Sequence, residues 1–147
     1  MHSLKFRVWD KLYKRYVKPY AVCLDGRAIV ITEPSNDLET LDSKRVNIEP
    51  FTGLKDKNGQ KIYEGDIVEA LIDGVWNTGK NSVGFGKVKW KLEVIYNDIR
   101  YMDVFRVIGS KNSPDRIYYL FDKELSEIEV IGNIHEHPEL LEIKNVD

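Results

Sequence analysis

Between Phe51 and Val68 the chain reads Phe-Thr-Gly-Leu-Lys-Asp-Lys-Asn-Gly-Gln-Lys-Ile-Tyr-Glu-Gly-Asp-Ile-Val, which fits two reversals of direction into a short stretch. Asp56-Lys57-Asn58-Gly59 has the make-up of a type I turn closed by a left-handed glycine, and so sets the register of a hairpin. Glu64-Gly65-Asp66 turns the chain again and launches the apolar run Ile67 to Ile72. Gly53, Gly59 and Gly65 read as structural turn positions whose backbone a Cβ would oppose, and Asp66 as a carboxylate that accepts from its own turn. Neither half offers a nucleophile or a metal-ligand cluster. The Gly-x-x-x-x-Gly-Lys spacing of a phosphate loop is missing, and no helical pattern follows that could turn its N-terminus towards an anion. The run is built for shape.

Strand patterns surround it. From Lys87 to Tyr96, Val88, Trp90, Leu92, Val94 and Tyr96 fall on one face and Lys87, Lys89, Lys91 and Glu93 on the other, the period of a half-buried strand. Lys5 to Trp9 alternates in the same way, with Phe6 and Val8 inward. Ala21 to Leu24 and Ala28 to Ile31 flank Asp25-Gly26-Arg27, a hairpin signal. Further strands are expected over Ile99 to Ile108, Arg116 to Phe121 and Ile128 to Ile134, and Pro138 suits the start of a C-terminal helical turn. The polar stretches Thr32 to Lys44 and Asn77 to Gly86 read as loops, the first with a helical turn around Leu38 to Leu41 and the second mobile.

Aromatic residues, 11% of the chain, favour pleated surfaces, and 147 residues suffice to bury a core. The expectation is a mainly β protein: residues 1–50 form an N-terminal β-hairpin element, and 51–147 a strongly bent antiparallel sheet closing into a small SH3-like barrel. Lys and Arg number 22 against 24 Asp and Glu, so no global positive field gathers the chain onto nucleic acid. Cys23 is the single cysteine and, within an apolar run, is expected to be a small buried core residue. The N-terminus reaches strand-like residues without the apolar core of a signal peptide, and no stretch approaches the length of a membrane span. A soluble protein of the cytoplasm, without cofactor or membrane attachment, is the expectation.

Four ordered blocks carry a resemblance: Phe6-Arg7-Val8-Trp9-Asp10, Phe51 to Gly59, Ile62 to Val68, and Glu129-Val130-Ile131-Gly132-Asn133-Ile134 with Pro138-Glu139-Leu140-Leu141. Together they resemble the YopX family of phage and prophage proteins across nearly the whole chain. The resemblance implies a β-rich fold with an SH3-like barrel, a gene carried by a bacteriophage or prophage, and no catalytic residues to carry over. One departure is His137, where such proteins commonly have Asn before the Pro-Glu-Leu-Leu block.

Three constellations invite a functional reading. His135 and His137 would share a strand face and could point two imidazoles at one zinc ion, but no further ligand cluster accompanies them, and solvated histidines are expected. Lys80, Lys87, Lys89 and Lys91, near Trp76, Phe85 and Trp90, could form a nucleic-acid-binding face. Against this, Trp90 should face the core, Glu93 shares the wet face, and lysines commonly guard exposed strands. Trp76 and Phe85, on glycine-flexed segments, either anchor a protein interface or fold back over an open end of the barrel. The three histidines lie beside no matching serine or cysteine, so no nucleophile and base are paired. The leading expectation is a non-enzymatic accessory module that binds a protein partner or itself; the alternative is nucleic-acid binding through the lysine face.

Overall fold

The computed structural model describes residues 5–79, 82–97, 102–108, 117–119, 123 and 125–142, with the backbone alone at 74–79, 82–85 and 97. The chain divides into two compact units, Met1–Thr52 and Gly53–Asp147. Both are built on antiparallel sheet, and the described residues contain almost no helix.

In the first unit, β1 (Phe6–Asp10), β2 (Arg15–Val22), β3 (Ala28–Thr32), β4 (Asp37–Leu41) and β5 (Val46–Lys55) lie in the order β4-β3-β2-β1-β5. This is more than a hairpin. Val8 pairs with Val17 on β2 and with Ile48 on β5. Their side chains pack with Ala28, Val30, Leu41 and Val46 as the unit's core. The opposite face of β1 and β2 carries Trp9, whose ring meets Tyr16 edge-on at 4.9 Å.

β5 runs into the second unit, where β6 (Lys61–Tyr63) pairs beside it. There β7 (Asp66–Gly79), β8 (Ser82–Asn97), β9 (Met102–Val107), β10 (Ile117–Tyr119) and β11 (Leu125–Asn133) form a sheet in the order β10-β9-β8-β7-β11. Ile62, Val68, Ala70, Ile72, Leu92, Val94, Phe105, Val107 and Tyr118 make its core. A fully buried side chain such as Phe105 contributes about 1.5–3 kcal/mol relative to an exposed one. A 3-10 turn, Pro138–Leu141, follows β11.

Several expectations are corrected. No closed barrel is found among the described residues: both sheets are open, so the SH3-like closure does not appear. Thr32 to Lys44 is not a loop with a helical turn, because Asp37–Leu41 is a strand in full register with β3, from Thr32 opposite Asp37 to Ala28 opposite Leu41. Its first four residues are exposed, which removes the alternation that marks a half-buried strand. The described residues of Asn77 to Gly86, 77–79 and 82–86, likewise lie in strands rather than a mobile loop, with Trp76 opposite Gly84 and Asn77 opposite Val83. Backbone hydrogen bonding needs no particular side chain, so its small residues accept a ladder. Cys23 is only half buried. Its N–H donates to Arg27 O at 2.8 Å and its carbonyl accepts from Gly26 at 3.0 Å, so it closes the β2–β3 hairpin rather than filling the core.

Candidate functional site

The first unit carries a cleft of about 340 Å³, at the lower end of the size range of small-ligand pockets. Three core side chains, Val17, Val30 and Leu41, give it an apolar lining. Around them stand Arg15 and Lys18 from β2, Thr32 and Glu33 where β3 ends, and Asp10, Tyr13, Glu39 and Arg45.

One end is fixed by an ion pair. Arg45 reaches Asp10 with two donors, Nε to Oδ1 at 2.9 Å and Nη2 to Oδ2 at 2.7 Å. Asp10 is only 1% exposed, so the paired guanidinium is what allows it to stay charged there. The Arg45 hydrogen bond holds the Asp10 carboxyl below the usual carboxylate range; burial opposes this, and the Leu12 N–H assists it. Glu39 lies 3.6 Å from Arg45 Nη1, a looser contact. The Tyr13 ring meets the guanidiniums of both Arg45, at 5.2 Å, and Arg15, at 5.4 Å. Lys14, Arg15 and Lys18 enter no ion pair among the described residues. Leu12, Tyr13 and Tyr20 are each 63% exposed. Of these, Tyr13 lines the cleft, so its exposed ring meets two guanidiniums beside an apolar hollow, an arrangement suited to recognition.

The opposite face of the same sheet is satisfied internally. Arg7 Nε contacts Glu49 Oε2 at 2.6 Å, the Tyr16 hydroxyl donates to the same oxygen at 3.0 Å, and the Arg7 guanidinium lies 4.6 Å from the centre of the Tyr16 ring.

The lysine face anticipated from alternation lies on β8, with its acids supplied by neighbouring strands. Lys87 stands opposite Asp73 and Lys91 opposite Glu69, while Lys89 Nζ is 3.7 Å from Glu69 Oε2. Glu93 pairs with Arg106 across the β8–β9 ladder, and Glu129 of β11 with Lys57 at 3.3 Å. Positive and negative groups therefore alternate, the reverse of the single-sign stripe that polyanion binding uses. At the ends of the β8 pattern Val88 and Tyr96 are exposed, so the apolar face is complete only over Trp90, Leu92 and Val94. Lys80 and the side chains of Trp76 and Phe85 lie outside the described residues.

The turn positions do structural work. Asp56 Oδ1 accepts from Asn58 and Gln60 N–H, each at 2.9 Å, and Oδ2 from Val130 N–H at 3.0 Å, which ties the hairpin to β11. Burial works against that charge, but the donors from Val130, Gln60 and Asn58 outweigh it and lower the Asp56 pKa. Asp66 Oδ2 accepts from Tyr63 N–H at 2.8 Å. Gly65, at φ +87°, sits between that turn and the sheet, donating to Val94 O and accepting from Ile134 N–H. Gly53 and Gly59 also have positive φ, +89° and +81°.

His135 and His137 do not share a strand face, because β11 ends at Asn133 and residues 134–136 form a turn. The Asn133 side chain caps that turn, accepting from His135 and Glu136 N–H at 3.1 and 2.9 Å. The His137 ring lies over Gly132, where a Cβ would come within 2.7 Å of Nδ1. Nδ1 accepts from Asn133 N–H at 3.3 Å. His137 is thus a packing and capping residue. Among the described residues no group of three or more His, Cys, Asp or Glu side chains is placed to hold a metal ion, and no helix is long and apolar enough to cross a membrane.

Sequence reasoning missed the cleft. A signal existed: from Lys11 to Leu24 there are four cations and three tyrosines but no acid.

Comparison with known proteins agrees with the blocks noted in the sequence. The crystal structure of protein EF1440 from Enterococcus faecalis is similar to this chain at 26% identity and a TM-score of 0.50, covering 97% of this chain and 100% of that one. No curated protein matches. The family model described as YopX protein matches residues 5–142, and the chain belongs to the YopX family.

Proposed function

We propose that the chain is a non-enzymatic interaction module, encoded by a phage or prophage and acting in the cytoplasm of the bacterial host, and that it works by binding a protein partner or a second copy of itself. The observation that carries this reading is the first unit's cleft, where Tyr13 is exposed beside Arg15 and Lys18, together with Leu12 and Tyr20, exposed elsewhere on the same unit. Tyr and Arg dominate the energetics of protein interfaces because each offers a large contact area and a polar end. The phage setting and the bacterial compartment come from the family resemblance alone.

A protein partner suits the surface better than nucleic acid does. The lysines of β8 are interleaved with Glu69, Asp73 and Glu93, which would repel phosphates laid along them.

The test is capture from infected host lysate, with light scattering after size exclusion to detect self-association, for the wild type and for the double variant Tyr13→Ala with Tyr20→Ala. The expected outcome is a retained protein, or a self-associated mass, that the variant loses at an unchanged melting temperature. Equal capture and equal mass from both would refute the reading.

A further inference from the structure

A strand inside a sheet is paired on both sides, and a strand at its end on one. β4 ends the first sheet: β3 accompanies it over its full length, from Asp37 to Leu41, and among the described residues no strand lies beyond it. Asp37, Leu38, Glu39 and Thr40 are all exposed, Leu38 by 56% although it stands opposite Ile31. Alternate N–H and C=O groups of such a strand point away from its neighbour and can template another strand. β11, at the end of the second sheet, differs. Its Ile128 O accepts from Lys57 N–H and its Val130 N–H donates to Asp56, so the β5–β6 turn already occupies that edge.

The side chains of β4 select what can be added. Asp37 and Glu39 fall on one face with Leu41, and Leu38 and Thr40 on the other. From Ala28 to Ser43 the chain has four acids, Glu33, Asp37, Glu39 and Asp42, and no Lys or Arg. Glu33, Asp37 and Asp42 enter no ion pair among the described residues. Glu39 is held loosely, 3.6 Å from Arg45, whose two closer bonds go to Asp10. A second copy of β4 is the wrong occupant. Antiparallel pairing about Glu39 would set that carboxylate against itself, and pairing about Leu38 would set Asp37 against Glu39 twice; like charges directly opposite are destabilising. A cationic strand meets the reverse condition. We infer that the free edge of β4 receives an extended segment of a basic protein partner in which Lys or Arg alternates with apolar residues. Main-chain hydrogen bonds join it to β4, its cations lie on the face of Asp37 and Glu39, and its apolar side chains cover Leu38.

This goes beyond the cleft reading, because it names a second surface and the chemistry of what binds there. The test titrates the 15N-labelled full chain with acetyl-Lys-Val-Lys-Val-Lys-amide, with its Glu counterpart, with the same residues reordered as Lys-Lys-Lys-Val-Val, and with the alternating Lys peptide N-methylated at one or the other set of alternate amides. The alternating Lys peptide should shift the Leu38, Glu39 and Thr40 amides saturably and bind roughly tenfold more tightly than the Glu peptide. It should also bind more tightly than the reordered peptide, because only alternation puts every cation on the acidic face. One methylated form should lose most of the binding and the other keep it, since an added strand turns one set of amides towards β4. Asp37→Asn should narrow the preference for Lys and Asp37→Lys should invert it, both at an unchanged melting temperature. Shifts confined to other residues, equal binding of the Lys and Glu peptides, equal binding of the reordered peptide, or equal binding of the two methylated forms would each overturn the inference. If no peptide binds while the tyrosine variant still loses its captured partner, the β4 site falls and the interaction reading stands. If the peptides behave as described but capture is insensitive to the tyrosines, β4 stands and the cleft reading falls.

Discussion

The two units hold their buried carboxylates by different means. In the first, Asp10 and Glu49 are met by guanidiniums from Arg45 and Arg7, at sequence separations of 35 and 42. In the second, Asp56 and Asp66 are met by main-chain N–H groups of Asn58, Gln60, Val130 and Tyr63, and Glu93 alone among its described buried carboxylates by a guanidinium, that of Arg106. The same contrast governs the surface. The lysines of β8 lie among acids on adjacent strands, whereas Lys14 and Lys18 enter no ion pair among the described residues and Arg15, although opposite Asp10, leaves that carboxylate to Arg45. Lys14 and Lys18 of the first unit thus stand without an ion pair, although the second unit has the more conspicuous run of lysines. What decides a charged strand's role is the strand beside it.

Removing Asp56 should do the most damage. Asp56→Ala leaves N–H groups of Asn58, Gln60 and Val130 without their acceptor, for an expected loss of about 3 kcal/mol in urea unfolding. Asp56→Asn, which keeps an acceptor, should recover part of it. A loss near zero would mean that water replaces the carboxylate and that main-chain capping does not hold the second unit together. Arg45→Ala is the matching change in the first unit. It strands Asp10 and should lower the melting temperature by several degrees, with Arg45→Lys recovering only part because one ammonium cannot reproduce the two-point contact.

Acid sharpens the contrast by sign. The folded pKa values of Asp10 and Asp56 are lowered, so the stability they contribute is present above the unfolded value of about 3.9 and is lost as pH falls through the lower folded values. Asp103 is the opposite case. Burial raises its pKa, a hydrogen bond with the Glu64 side chain works against the shift, and one of its buried oxygens has no hydrogen-bond partner. Its contribution is complete below about pH 3.9 and is lost as pH rises through the raised value. In urea unfolding across pH, Asp56→Asn should flatten the acid limb, and Asp103→Asn should remove a slope of opposite sign above it. If either substitution leaves the profile unchanged, the shift assigned to that residue is wrong. The smallest effect belongs to Lys89→Ala: its ion pair with Glu69 is exposed and 3.7 Å long, so a change of about 0.5 kcal/mol or less is expected.

Much of the fold was legible because it is local. The alternation of Val88 to Val94, the Asp25-Gly26 hairpin and the turns around Gly59 and Gly65 each state their geometry within a few residues. β4 was not legible: four of its five residues are exposed, so an edge strand reads as a polar loop. Nor was the continuation of β7 and β8, where ladder pairing rather than side-chain pattern carries the strands. The histidine pair misled because period-two reasoning was carried past Asn133, whose side chain caps a turn. The cleft depends on where β2 outruns β3 and on Arg45 finding Asp10, which are relations between distant segments. Only the acid-free composition of Lys11 to Leu24 hinted at it.

The central claim is that recognition belongs to the tyrosines and the unpaired cations of the first unit and not to the lysines of β8. Its most direct test is a photo-crosslinking side chain introduced at Tyr13 in one sample and at Lys89 in another, each exposed to infected host lysate under identical illumination. A discrete protein adduct from position 13 with none from position 89 is the predicted result; an adduct from position 89 with none from position 13 would contradict it.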